Sequence, residues 1–388
     1  QIIFMTDGQP TIGAIKEDVI INGLEKELEE TKAKIRVFCF GIGTNVNAHL
    51  LDKITEKTNA VSQYVLPEEN IETKVSRFYS KISEPVLTGL EVKIDGPERI
   101  HKLYPKELPD LFKGDQMVVT GRYESGKKDA TITLTGSMMG KERSFSYRAR
   151  FPKTNDDNDF IPRLWATRRV GYLLDEIRLH GENKELKEEV ITLAKKYGIV
   201  TPFTAYLILE DDRRNNVVAN RRLLPALDMD ARAVRDLGAN FEKLKDAKSG
   251  AGAVAAARAQ QSLSYALTAR SSLKKSIAEA APIGRAGKPG GATRYFSGAG
   301  GRATVQQNIR FVAGRSFYQN GTCWIDADVQ TLKTKTKKIR IKFGSEAYFK
   351  LVADKPSALK WISLGKHVEF VLDGNHYEIY QETKNENN

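Results

Sequence analysis

Apolar positions along the chain fall into successive stretches of different period. Between residues 1 and 83, continuous apolar runs alternate with segments spaced for helix. "QIIFM" (1–5) predicts a buried strand, and residues 14–32 a polar-rich helix with Ile15, Val19 and Leu28 turned inward. "KIRVFCFGIG" (34–43) predicts a second buried strand ending in glycines. Asn47 is placed to N-cap a helix carrying Leu50, Leu51 and Ile54, and "AVSQYVL" (60–66) is a third strand. Ile71, Val75, Phe78 and Ile82 mark a helix begun near Pro67. Such alternation predicts a parallel sheet with helices on both faces.

From residue 84 to 153 the period drops to two. "LTGLEVKID", "QMVVTGRY", "ATITLTGSM" and "RSFSYRARF" predict an antiparallel unit of β-sandwich type. Residues 154–211 return to helical spacing. Val170, Leu173, Leu174 and Ile177 form one stripe, and Leu186, Val190, Leu193 and Tyr197 another, stopped by Gly198 as a left-handed cap. Trp165 is expected in the core, and "GIVTPFTAYLILED" (198–211) is expected to run extended. Residues 212–307, rich in Ala, Gly, Ser, Arg and Lys, predict a flexible basic linker, helical only around 231–245 and 265–278. Residues 308–388 predict a small α+β module with hairpins at Asn320-Gly321 and Asp373-Gly374. Its aromatic residues Phe317, Tyr318, Trp324, Trp361 and Tyr377 sit at strand spacing and are expected to be core. The fold class is therefore α/β, a partial doubly wound sheet, followed by a β unit, helices, a linker and the tail module.

Composition sharpens this only in places. The net charge of +12 is concentrated in 212–310, whereas 1–211 is close to balanced. Within the linker, Arg213, Arg214, Arg221, Arg222, Lys274 and Lys275 are candidates for sequence-independent contact with a polyanion, an anionic surface or a nucleic acid. Aromatic residues for base stacking are sparse there, which favours a solvated tether. No apolar run approaches the ~20 residues of a membrane-spanning helix. Cys39 and Cys323 are too few for a disulfide framework, and Cys39 is expected as a buried free thiol. None of the five histidines has a partner at zinc-ligand spacing.

Candidate chemistry centres on Asp7. The run "IIFM" delivers Thr6-Asp7-Gly8 to a strand tip, and ligands of doubly wound sheets gather at the carboxyl ends of strands. A hard divalent cation takes oxygen ligands, keeps several waters, and needs only one or two carboxylates from the protein. The bland alternative is an aspartate that caps its own turn. The alternative of a dinucleotide-dependent enzyme rests on "FGIGTNVNAHL", where Gly41 and Gly43 fit a phosphate-binding fingerprint but Val46 occupies its third glycine.

"FMTDGQPTIG", "VFCFGIGTNVNAHLLDKI" and "YVLPEENIE", in that order, resemble the second half of a von Willebrand factor A domain. The type is that of the inter-alpha-trypsin inhibitor heavy chains and their bacterial relatives. "LPDLFKGDQMVVTGRY" and "RLWATRRVGYLLDEI…LAKKYGIVTPFTAYLILED" extend the resemblance to about residue 212. The tail module resembles one found on some bacterial members. The resemblance implies a non-enzymatic adhesion protein. Its metal-ion-dependent site would hold Mg²⁺ or a similar ion and grip an acidic group on a protein partner. Asp7 carries over as the metal-site acid, with Thr6 and Gly8 shaping its loop. The family's DxSxS loop and threonine are expected upstream of residue 1, since no DxSxS occurs in this chain. This leaves "QIIFM" an edge strand and the site incomplete, so that Mg²⁺ binds poorly. The Asp-Pro-His-Phe signature of the animal heavy chains is absent, so covalent glycosaminoglycan transfer is not implied. Location outside the cytoplasm or at the cell surface follows from the resemblance alone.

Overall fold

The computed structural model describes residues 1–31, 35–82, 85–97, 99–124, 129–153, 155, 157–280, 308–332 and 336–382. The elements β1 (Ile2–Thr6), α1 (Glu17–Thr31), β2 (Val37–Ile42), α2 (Ala48–Lys57), β3 (Ser62–Val65) and α3 (Ile71–Ile82) alternate. Six strands follow: β4 (Pro85–Asp95), β5 (Ile100–Tyr104), β6 (Leu111–Phe112), β7 (Thr120–Tyr123), β8 (Ala130–Met138) and β9 (Lys141–Ala149). The helices α4 (Phe160–His180), α5 (Lys184–Tyr197), α6 (Pro202–Arg214), α7 (Pro225–Asp228), α8 (Ala231–Asp246), α9 (Ala251–Ser264) and α10 (Ala269–Ala280) come next. The last part holds β10 (Ile309–Val312), β11 (Arg315–Asn320), β12 (Cys323–Asp326), β13 (Lys338–Lys342), α11 (Glu346–Asp354), α12 (Leu359–Ile362), β14 (Val368–Leu372) and β15 (Asn375–Tyr380). These elements form two compact units, Gln1–Glu182 with Glu242–Ala280, and Asn183–Phe241 with Ala281–Asn388.

In the first unit, β1, β2 and β3 form a parallel sheet in that order, with Phe4 opposite Cys39 and Cys39 opposite Ser62. Strand β2 is buried on both faces because its side chains alternate between two cores. Val37 and Cys39 pack with Val46, Leu51 and Ile54, while Phe38 and Phe40 pack with Val65, Phe78 and Ile82. Phe78 meets Phe38 and Phe40 edge-on at 5.2 and 5.0 Å. Helix α1 uses a different face from the expected one. Ile15 and Val19 are exposed, and Ile20, Ile21 and Leu24 pack on the core. The helix starts only at Glu17, so Ile15 lies outside it, and Ile21 is the residue it buries, with Ile20 and Leu24 beside it.

The antiparallel part consists of a four-stranded sheet, β6-β4-β8-β9, and a two-stranded pair, β5-β7. Helix α4 carries the expected Val170, Leu173, Leu174 and Ile177 fully into the core, and Trp165 is buried. Its Arg178 donates to Asp52 of α2 at 2.5 Å and to Asp175 at 2.7 Å, and the Tyr64 hydroxyl of β3 donates to the other oxygen of Asp52.

The stretch 212–307 differs from the expected linker over its first two-thirds. The helices expected around 231–245 and 265–278 are found at 231–246 and 269–280, residues 251–264 are helical as well, and Ala253, Val254 and Ala257 of α9 belong to the core beneath β2. The physical reason is close approach. At Gly171 of α4 an added Cβ would lie 2.6 Å from the Ser264 backbone nitrogen and 2.7 Å from Leu263 Cβ. Small side chains let two helices meet at backbone distance, so an alanine face buries well even though each residue offers little area. Residues 281–307 lie outside the described residues.

In the second unit, residues 202–214 are helical and not extended. Thr201 caps α6, its Oγ1 accepting from Thr204 N, and the Thr204 hydroxyl returns the bond from Thr201 N, with Pro202 at the first position. The continuous apolar run that suggested a strand is a helix buried all round, including Phe203, Leu207, Ile208 and Leu209. Gly198 ends α5 in the left-handed conformation at φ +61°. The tail strands form one mixed sheet in the order β10-β11-β12-β14-β15-β13. Both hairpins fall where expected, with positive φ at Gly321, Asp373 and Gly374. Phe317, Tyr318, Trp324 and Trp361 are buried, and the Tyr318 hydroxyl donates to Lys195 O at 2.9 Å.

Candidate functional site

Strand β1 runs parallel to β2, and Asp7 follows its carboxyl end with its side chain exposed. Asp7 Oδ1 accepts from Gln9 N at 3.0 Å and Thr6 Oγ1 accepts from Gly8 N at 2.9 Å, so both side chains shape the turn. The Asp7 carbonyl accepts from Asn47 N at 2.8 Å, tying this turn to the start of α2. Gly8 has φ +69°, and a Cβ there would lie 3.1 Å from Asn47 O and 3.3 Å from Leu51 Cδ2. The glycine therefore meets two demands at once, a left-handed backbone and close passage over α2.

Asn47 caps α2 through Oδ1, which accepts from Leu50 N at 3.0 Å, and its Nδ2 donates to Glu17 Oε1 at 3.0 Å. Glu17 Oε2 meets His49 Nδ1 at 2.9 Å and Lys248 Nζ at 3.1 Å. Burial raises the Glu17 carboxyl, but hydrogen bonds from Asn47 and Lys248 and the His49 and Lys248 charges outweigh it and leave the group below its ordinary value. Burial likewise pushes His49 below its ordinary value, against the pull of Glu17. Lys248 O accepts from His49 N, and Val46 O accepts from Gly250 N, which fastens the segment before α9 to the rim. Sequence reasoning missed Glu17, His49 and Lys248 because they are joined across up to 231 positions. A signal was available only in Glu17, an acid at the first helical position beside a later Asn47.

Among the described residues, Asp7 joins no set of three metal-ligating groups. Such sets are Glu56, Glu176 and His180, and Cys323, His367 and Glu369. No histidine has a partner at zinc-ligand spacing along the sequence, but the fold brings His180 and His367 each within reach of two other groups of ligand type. The second set had a visible signal, the His-x-Glu pattern that occurs on each side of Asp373-Gly374 in "HVEFVLDGNHYE".

The polyanion candidates are divided between the units. In one, Arg213 and Arg222 converge on Asp228, and Arg214 pairs with Asp211 at 2.9 Å, while Arg221 is half-buried. In the other, Lys274 and Lys275 are exposed on α10. At the turn after β2, Val46 is fully buried and touches the space beside Gly41, where a Cβ would lie 2.7 Å from Val46 Cγ1. Gly41 is thus explained by packing. A cavity of about 710 Å³ in this unit, lined by Arg36, Arg168, Arg258 and Tyr265 among others, shares no residue with the rim. Cys39 is a buried free thiol.

A parallel sheet flanked by helices, with an Asp-Gly turn at the carboxyl end of one strand, is the arrangement that the resemblance to a von Willebrand factor A domain leads one to expect. In sequence the chain is similar to the inter-alpha-trypsin inhibitor heavy chains over somewhat more than half its length. It is 23% identical to heavy chain H4 of Homo sapiens over 232 residues, 57% of this chain and 24% of that protein. It is 25% identical to heavy chain H3 of Bos taurus over 238 residues, 57% of this chain and 26% of that protein. The figures for heavy chain H2 of Mus musculus are 22% identity, 56% of this chain and 24% of that protein. The chain thus spans about a quarter of the length of the curated relatives it matches. No family model matches it. A solved von Willebrand factor type A structure from Catenulispora acidiphila aligns over 53% of this chain and 57% of that one, at 15% identity and a TM-score of 0.30. No described helix is long and apolar enough to cross a membrane.

Proposed function

We propose that this is a non-enzymatic adhesion protein that binds a protein partner through a divalent cation held at Asp7, with the partner supplying an acidic group. The observation that supports the reading is Asp7 itself, an exposed carboxylate past the end of β1 in a parallel sheet. The sequence likeness to the heavy chains supports the protein-binding role. Thr6 and Gly8 serve by holding the turn. Location outside the cytoplasm or at the cell surface goes with the same reading.

A single exposed carboxylate is compatible with a hydrated ion such as Mg²⁺, which takes few carboxylates and retains water. Asp7 Oδ1 is engaged by Gln9 N, leaving Oδ2 to face solvent or an ion. One carboxylate holds Mg²⁺ weakly, and calorimetry on this chain is expected to give at best millimolar affinity. Tight stoichiometric Mg²⁺ binding would overturn that expectation.

The adhesive role is tested by binding of the chain to immobilised acidic peptides in Mg²⁺ and in EDTA. Binding is expected to need the metal and to fall to the EDTA level in Asp7→Ala, with an unchanged circular dichroism spectrum. Binding indifferent both to EDTA and to the substitution would sink the reading. Arg213, Arg214 and Arg222 are engaged by acids of their own unit, which disfavours the polyanion alternative.

A further inference from the structure

The tail sheet gathers unusual chemistry for the interior of a small module. Cys323 lies on β12, Glu369 on β14, Glu378 and His376 on β15, and His367 immediately before β14. Strands β12 and β14 pair in parallel, with Trp324 opposite Val368, and Trp324 N donates to His367 O at 3.0 Å. That register sets Cys323 beside His367 and Glu369. Strands β14 and β15 pair antiparallel with Glu369 directly opposite Glu378, so two carboxylates share one face. Cys323, Glu369, His376 and Glu378 are all buried.

Most of these groups have partners. Glu378 is held by Lys338 Nζ and Arg340 Nε, both at 2.9 Å. His376 Nε2 meets Glu369 Oε2 at 2.7 Å, and Lys338 Nζ stands 3.9 Å from Glu369 Oε1. His367 Nε2 differs. This ring nitrogen is sealed from solvent and has no hydrogen-bond partner, its nearest charged neighbour being Glu378 Oε1 at 3.7 Å. An imidazole nitrogen sealed from solvent with no hydrogen bond is costly unless something occupies it. Its surroundings are metal ligands: one ligand atom each from Cys323, His367 and Glu369 lies within 4.8 Å of the others.

We propose that Cys323, His367 and Glu369 form a binding site for a borderline-soft divalent cation of the Zn²⁺ kind. Sulfur, imidazole and carboxylate ligands select Zn²⁺ or Co²⁺ over Mg²⁺. On binding, the Cys323 thiol releases its proton to solvent and the sulfur forms the bond to the metal. The thiolate and Glu369 together balance the two positive charges. Lys338 and Arg340 remain paired with Glu378, and the His376 hydrogen bond to Glu369 Oε2 orients that carboxylate, since carboxylates that bind a metal are themselves held by hydrogen bonds. The site is independent of Asp7 and differs from it in the metal it prefers.

The test is a Co²⁺ titration of the tag-free, chelator-treated full chain. The expected result is one equivalent bound, with tetrahedral visible bands and a sulfur-to-cobalt charge-transfer band in the near ultraviolet. Zn²⁺ should erase both signals, and millimolar Mg²⁺ should leave them. Cys323→Ser is expected to remove the charge-transfer band, and His376→Ala to weaken Co²⁺ binding by ~10–100-fold. Asp7→Ala should leave every signal intact. Because Cys323 is buried, His367→Gln at the more open position is the second variant, also expected to lose the metal. No Co²⁺ or Zn²⁺ binding by the folded chain, or a charge-transfer band that survives Cys323→Ser, overturns the proposal.

Discussion

Gly8 shows how much of the rim depends on a single hydrogen atom in place of a side chain. Its φ of +69° disfavours any side chain, and its α2 neighbours stand 3.1–3.3 Å from where a Cβ would sit. Gly13, at φ +79°, has nothing within 4 Å of that point. Both substitutions to alanine share the backbone strain of ~1–2 kcal/mol, so the difference between them isolates the clash with Asn47 and Leu51. Urea unfolding is expected to rank Gly8→Ala clearly below Gly13→Ala in stability, and equal midpoints would remove the packing role of Gly8. At this scale the sequence revealed Asp7's position and the Asn47 cap, because both depend on neighbours within a few residues. Glu17, His49 and Lys248 were not visible, because only the folded chain brings them to one carboxylate.

Among the elements, α9 teaches most. Its alanines look too small to sustain a fold if each is weighed by area, yet Ala257 and Ala259 are fully buried. The missing information was the partner. Gly171 on α4 leaves room for the α9 backbone itself, and no local pattern announces that two small faces will meet. Gly171→Ala is expected to drive the helices apart and destabilise the first unit by ~1–3 kcal/mol, measured as a lowered denaturation midpoint. An unchanged midpoint would show that the crossing relaxes freely. Helix α6 is the opposite case, since Thr201 and Pro202 announced a helix start that its apolar run concealed. Parallel β2 and the two tail hairpins were legible because a buried run and an Asn-Gly or Asp-Gly turn admit few other structures.

For the whole molecule, the titrating groups define a stability window. His49 and Glu17 lie below their ordinary values when folded, and Glu69 is lowered to about 2. Burial opposes the Glu69 shift, but hydrogen bonds from Lys74, Leu66 N and Arg258 overcome it. Each of these groups binds fewer protons folded than unfolded, so acid favours unfolding. Stability should begin to fall as pH drops below about 6.5, the ordinary value of His49, and keep falling towards about 2 through Glu69. On the alkaline side, burial raises the Cys39 thiol to about 12 from 9.0, so stability is lost as pH rises through that interval. Denaturant midpoints between pH 3 and 10 test both limbs, and Glu69→Gln should flatten the acid limb below about 4.5. An acid limb unaltered by Glu69→Gln would remove that carboxylate from the account.

The first unit is discontinuous, since residues 242–280 complete what residues 1–182 begin. During synthesis on the ribosome, the sheet's amino-terminal strands emerge well before Ala253, Val254 and Ala257, which close one of its cores. For that interval the nascent chain carries an uncovered apolar floor around Val46 and Leu51, so chaperone capture should peak with chains halted between residues 182 and 250 and subside once α9 has cleared the exit tunnel.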